Sequence, residues 1–133
     1  MTSEVCTIGL GLAKNVFPIH GADASGSAVF RKQQRRGQVL KFLADRPRCP
    51  VAMEACGSSH FWARKIGPPG HEVRMIPPAS VKPFIKLQKN DAADAEAICE
   101  AAQRPTMRFV GVQSEATQGA AVMLRTRDLL TML

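Results

Sequence analysis

Aromatic residues are scarce: one Trp, six Phe and no Tyr make up 5% of the 133 residues. Aliphatic side chains and Ala must therefore fill most of any core. No apolar run approaches the roughly 20 residues of a bilayer-spanning helix, which excludes a transmembrane helix. The opening Met1-Thr2-Ser3-Glu4 lacks a basic stretch followed by an apolar one, so a secretory leader is not expected and the cytoplasm is the expected compartment. The cysteines, Cys6, Cys49, Cys56 and Cys99, form no CxxC pair. The histidines, His20, His60 and His71, lie at no zinc-like spacing from them. The four cysteines are expected to be small buried hydrophobes in a reducing compartment. Internal repeats and low-complexity tracts are absent as well.

The remaining composition is that of one globular domain: 45% hydrophobic, 22% charged and long enough to bury a core without staples. The net charge of +7 is unevenly placed. Residues 1–50 carry a net +5, residues 51–90 a net +4 and residues 91–133 a net −2. A basic front end favours polyanions, with nucleic acid first and an acidic membrane surface second. The plainer alternative is ordinary solvated surface charge.

Periodicity predicts three short strands at 5–12, 16–20 and 27–33, with Pro18 placing the second at an edge or a bulge. A helix over 36–45 follows, stopped by Pro47 and Pro50. Then come a buried strand at 50–55, a helix over 59–66 capped by Gly57-Ser58-Ser59, and a strand at 72–76. A short helix over 80–88 and an Ala-rich helix over 91–103 are next. Residues 107–112 read as extended, and a last amphipathic helix starts at Ser114. That helix reaches Leu133 without a C-cap signal, so the chain reads as truncated. A three-strand meander followed by strand–helix alternation predicts an α/β fold: a mixed, ribonuclease-H-like sheet with flanking helices and a C-terminal helix. The expected division is a domain over 1–112 and the start of a connecting or coiled-coil helix over 113–133.

Metal-dependent phosphoryl transfer needs carboxylates gathered from several elements around two ions. Glu54 ends an otherwise apolar strand, where a carboxylate is costly unless it is paired or binds a metal. Asp91 and Asp94 stand at i, i+3 in the first turn of a helix and share a face. The bland alternatives are dipole-stabilising residues for the two aspartates and an exposed or Lys-paired carboxylate for Glu54. Lys82, Lys86 and Lys89 fall at i, i+4, i+7 on the helix leading to Asp91, and Lys14, Arg31, Lys32, Arg35 and Arg36 add charge around the meander. Such cations could hold nucleic-acid phosphates beside the acids. Each is equally readable as a surface residue.

Four stretches carry a resemblance: Ile8 to Asn15 (IGLGLAKN), Met53 to His60 (MEACGSSH), Gly70 to Arg74 (GHEVR) and Lys89 to Ile98 (KNDAADAEAI). Together, in this order and with Arg104-Pro105 and the closing helix, they resemble the N-terminal domain of the DEDD-type insertion-sequence transposases, a family that includes the Piv-like DNA invertases. The resemblance implies a RuvC-like nuclease domain with four acids. Glu54, Asp91 and Asp94 match three of them as catalytic and metal-ligating residues. The first, an Asp on the opening strand, is replaced by Gly11, and Asp23 in the hairpin loop is too distant to substitute. The resemblance further implies DNA as substrate and Mg²⁺ as cofactor; beside such a centre Lys14, Lys82, Lys86 and Lys89 are the cations expected to bind the DNA. A structured guide RNA would be a second partner, full-length relatives would form homo-oligomers through the C-terminal helix, and the location would be the bacterial nucleoid. The expected function is therefore a transposase or recombinase domain, catalytically impaired by Gly11. The alternatives are a non-catalytic nucleic-acid-binding or oligomerisation module and, third, a sugar-kinase-like phosphotransferase.

Overall fold

The computed structural model describes residues 5–68, 70–85 and 91–112, with only the backbone of Asp91 and Ala92. Strands β1 (Thr7–Leu10), β2 (Val16–Ala22) and β3 (Ala28–Arg35) form an antiparallel meander. A short 3-10 turn and helix α1 (Val39–Ala44) lead to β4 (Pro50–Glu54). Helix α2 (Ser59–Ile66) then crosses to β5 (Glu72–Ile76), and α3 (Pro78–Val81) and α4 (Asp91–Ala102) follow. The sheet order is β3-β2-β1-β4-β5, with β4 parallel to both β1 and β5. This mixed five-stranded sheet is compatible with the ribonuclease-H-like fold expected from the element order.

The two-residue period of the strands splits the core into two layers. One face puts Ile8, Leu10, Phe17, Ile19, Val51, Met53 and Met75 against Val39 and Leu43 of α1 and Trp62, Ala63 and Ile66 of α2. Trp62 and Phe17 meet edge to face with ring centroids 5.0 Å apart, so the single Trp belongs to the core. The other face presents Ala52 and Ile76 to Val81 of α3 and to Ala97, Ile98, Ala101 and Ala102 of α4. The small alanines let α4 lie close to the sheet. At Gly9 the approach is so tight that a Cβ would meet the Ala95 carbonyl oxygen and lie 2.7 Å from Cys99 Cβ. Gly9 is thus required by close approach rather than by its φ.

Three expectations are corrected. Pro18 lies neither on an edge strand nor at the bulge: β2 sits between β1 and β3, and its register shifts at Gly21/Ala22. The Pro18 carbonyl accepts from Gly11 N–H at 2.9 Å. Its N–H would have pointed the same way, towards Gly11, so the β1–β2 ladder ends where Pro has nothing to donate. The helix over 80–88 is also shorter than expected. Pro83 breaks it: α3 ends at Val81, a 3-10 turn spans Lys82–Phe84, and Ile85 is extended with φ −73° and ψ 121°. Finally, only Cys99 is fully buried; Cys49 is half-buried, and Cys6 and Cys56 are exposed. Cys6 and Cys56 each fall just outside a strand, where a small side chain need not face the core.

Residues 107–112 touch the sheet through one bridge, Met75 to Val110. The expected helix from Ser114, the boundary at 112 and oligomerisation through that helix fall outside the described residues. Among the described residues no helix is long and apolar enough to cross a membrane.

Candidate functional site

The parallel pairing of Ile8 with Val51 and of Gly9 with Ala52, continued by two residues, brings Gly11 beside Glu54. Glu54 and Ala52 share the face of the sheet that α4 covers, by the two-residue period. Helix α4 runs opposite to β1. Cys99 near its carboxyl end lies against Thr7, with its thiol donating to the Thr7 carbonyl at 3.5 Å. The first turn of α4, with Asp94, therefore lies over the carboxyl end of β1. Gly11, Leu12, Ala13, Pro18, Glu54, Cys56, Asp94 and Ile98 line one cleft there, of about 200 Å³.

The loop after β4 is fastened by Ser59. Its hydroxyl accepts from Cys56 N–H at 3.0 Å and donates to the Cys56 carbonyl at 2.8 Å. This holds Cys56 at the cleft and starts α2. The sequence pointed to Ser58 and Ser59 as caps; Ser58 occupies the N-cap without a capping bond to the helix, its hydroxyl lying 3.4 Å from Cys56 Sγ, and the bonds of Ser59 fasten the loop instead.

Position 11 is tightly enclosed. A Cβ built on Gly11 would lie 2.6 Å from Pro18 Cγ and 3.2 Å from Pro18 Cδ. The pyrrolidine ring fills the space where an aspartate side chain would begin. Pro18 also lines the cleft, a role its sequence context did not reveal. The available signal was its place opposite Gly11 in the expected hairpin.

Of the expected acids, Glu54 and Asp94 meet at this cleft with Gly11, and the side chain of Asp91 lies outside the described residues. Lys14 is exposed in the β1–β2 turn, next to the cleft-lining Leu12 and Ala13. Lys82 is exposed on the 3-10 turn after α3, while Lys86 and Lys89 lie outside the described residues. Asp23 stays in the β2–β3 loop, where its carboxylate accepts from Ser25 Oγ at 2.7 Å, Ser25 N–H at 2.9 Å and Ser27 N–H at 3.0 Å. These bonds, led by the Ser25 hydroxyl, hold its pKa below the ordinary value. His60 is buried in the first turn of α2. His71 is a structural clip: Nδ1 accepts from Cys49 N–H at 3.3 Å and Nε2 donates to the Leu43 carbonyl at 2.6 Å.

Glu54 and Asp94 supply hard oxygen ligands, a donor set that suits a Mg²⁺ keeping most of its water. A two-ion centre asks for more carboxylates than these two. Among the described residues no three of His, Cys, Asp and Glu are grouped to hold a metal ion. A larger cavity, about 370 Å³, lies along the other end of α4. Its acids are already paired: Glu96 with Arg31 at 3.8 Å and Glu100 with Arg104 at 3.0 Å.

No protein-family model matches the chain. Over 92% of its length it is 54% identical to a probable family 20 transposase of Pseudomonas aeruginosa, of which it covers 36%. It is 48% identical, over 96% of its length, to the transposase for insertion sequence element IS1328 of Yersinia enterocolitica, covering 38% of that protein. Identity to the transposase for insertion sequence element IS1111A of Coxiella burnetii is 36%, again over 96% of the chain and 35% of the relative. The chain thus spans about a third of the length of these curated relatives. Its homologues are transposases of insertion sequence elements, as the four sequence stretches led one to expect.

Proposed function

We propose that this chain, a homologue of insertion-sequence transposases over nearly all its length, is the DNA-handling, RuvC-like domain of such a recombinase, with its phosphoryl-transfer chemistry impaired at Gly11. The observation that carries the reading is the single cleft shared by Gly11, Glu54 and Asp94 at the carboxyl ends of two parallel strands. Crevices at that edge of an α/β sheet are where such folds place their ligands.

Glu54 and Asp94, with Asp91 from the same turn, would hold one hydrated Mg²⁺. The ion would supply charge neutralisation and polarisation of a phosphoryl oxygen. Glu54 is held by β4 and Asp94 by the first turn of α4, so the two carboxylates approach from different elements. Gly11 contributes no carboxylate, which leaves the cleft short of the charge a second ion needs. DNA is the substrate in this reading, with a structured guide RNA as a second partner and the nucleoid as the location.

The test is thermal denaturation with and without Mg²⁺, with Glu54→Gln and Asp94→Asn alongside. A ligand that binds only the folded chain raises its melting temperature. Mg²⁺ should stabilise the unaltered chain slightly and both variants less. An identical response in all three would sink the metal reading. The packing of Pro18 against Gly11 favours the runner-up, a nucleic-acid-binding module without catalysis. Salt-sensitive DNA binding without any Mg²⁺ response would identify it.

A further inference from the structure

We infer that one side of β3, the row Arg31, Gln33 and Arg35, is a rail that carries a DNA strand away from the acidic cleft. The inference rests on the nuclease-like reading above and adds residues to it. The segment from Ala28 to Arg48 contains seven Lys or Arg and a single acid, Asp45, so it holds a net +6 of the chain's +7. The strand's alternation divides that charge between two faces.

Cross-strand partners point to the same side of a sheet. Pro18 pairs with Gln33, His20 with Arg31 and Val16 with Arg35. Pro18 lines the acidic cleft, so Arg31, Gln33 and Arg35 belong to the cleft's face. Their neighbours turn the other way and are occupied by rings. Lys32 Nζ sits 5.5 Å from the Phe42 ring centroid, and the Arg36 guanidinium 5.4 Å from that of Trp62.

The row is joined to the cleft. A second hollow of about 140 Å³, lined by Pro18, Arg31, Gln33, Ala95 and also Lys32, shares Pro18 with the acidic cleft. Ala95 follows Asp94 on α4. The floor therefore runs without interruption from Glu54 and Asp94, over Pro18, to β3. Alternate residues on a strand are about 6.5 Å apart, so the row is about 13 Å long. That suits successive phosphates of one extended strand. Arg31 keeps 64% of its side chain exposed despite the 3.8 Å approach of Glu96. At that length the contact is loose, and the exposed guanidinium can turn from Glu96 to a phosphate. Gln33 adds a neutral donor between the two guanidinium groups.

The experiment compares two variants that lose the same charge from opposite faces: Arg31→Gln/Arg35→Gln, and Lys41→Gln/Lys65→Gln on the α1 and α2 side. A labelled DNA duplex and a single strand of the same sequence are titrated with the full chain, by fluorescence anisotropy, at several salt concentrations. Loss of two phosphate contacts should weaken binding by about tenfold and reduce the log–log salt slope by about 1.5. The Lys41/Lys65 pair should stay within about twofold of the parent. Gln33→Glu leaves every cation in place yet should also weaken binding, which guards against a folding defect in the double variant. Equal losses in both pairs, or a loss in the Lys41/Lys65 pair alone, would overturn the rail and leave the DNA-handling reading standing. An unaltered chain that binds no DNA at low salt would overturn both.

Discussion

Gly11 and Pro18 occupy one space, and that decides what a simple reversion can achieve. From sequence, Gly11→Asp is expected to destabilise the chain by crowding the acids and to tighten Mg²⁺ binding. The structure adds a steric term, because the new Cβ would sit 2.6 Å from Pro18 Cγ. Overpacking of this kind typically costs about 1–3 kcal/mol. Gly11→Asp alone should therefore melt lower than the parent and gain little from Mg²⁺. Gly11→Asp combined with Pro18→Ala should recover stability and show the larger Mg²⁺-dependent rise in melting temperature. An equal Mg²⁺ shift for the single and double variants would clear Pro18 as the obstacle. Cysteines give a second prediction at this scale. Burial pushes the Cys99 thiol from 9.0 up to about 12, against the weaker opposing effect of Gln103. The raised folded-state value means stability is fully present below pH 9.0 and is lost as pH climbs towards about 12. Denaturant unfolding at pH 8 and pH 10.5 should show that loss, and Cys99→Ala should remove part of it. Thiol reagents should label the exposed Cys6 and Cys56 first, since the thiolate is the reactive form and Cys99 withholds it. Cys56 lines the cleft, so bound DNA should slow its labelling relative to Cys6.

The decisive element is α4, an alanine-rich helix laid across β1. Its close seat depends on Gly9, where any side chain would press on the Ala95 carbonyl and on Cys99. Gly9→Val should force α4 outward and destabilise the fold by about 1–3 kcal/mol, read by denaturant titration. It should also spread Asp94 from Glu54, so any Mg²⁺-induced rise in melting temperature should fall with it. A variant as stable as the parent would show that α4 does not depend on this contact. His71, just before β5, is tied to α1 through the Leu43 carbonyl and to the start of β4 through the Cys49 N–H. His71→Leu leaves the Cys49 N–H without its partner, while the Leu43 carbonyl keeps the Arg46 N–H at 3.1 Å. A loss of about 1–3 kcal/mol is expected, the cost of one buried unsatisfied group.

Across the whole molecule, charge and chemistry are separated but adjacent. Most of the net positive charge lies in β3 and α1, while the carboxylates sit at the junction of β1, β4 and α4. DNA binding should therefore fall steeply with salt, and it should be retained in Glu54→Gln, which removes a repulsive carboxylate from the phosphate path. A Glu54→Gln chain that loses affinity would place the acid in direct support of DNA.

Much of this was legible in the residues. The switch from two-residue to helical periodicity located the elements, because local patterning is dictated by which side chains must be buried. The strands at 50–54 and 72–76 and the helices at 59–66 and 91–102 fall within a residue or so of expectation. The acids at 54 and 94 were singled out by a carboxylate closing an apolar strand and by first-turn placement. Elsewhere the local signal misled. Pro18 suggested an edge, yet it lies in an inner strand because only the terminal rung of the ladder loses a donor. The helix expected over 80–88 stops early because Pro83 ends α3 and Ile85 is extended. Composition, element order, likeness to transposases and the vacancy at position 11 were thus determined by the sequence alone. Tertiary structure decided that Gly11 is closed by Pro18, that Gly9 seats α4, and that β3 divides its cations between a cleft face and an aromatic face. Those three facts depend on strand register and close packing, which bring together residues that no local pattern connects.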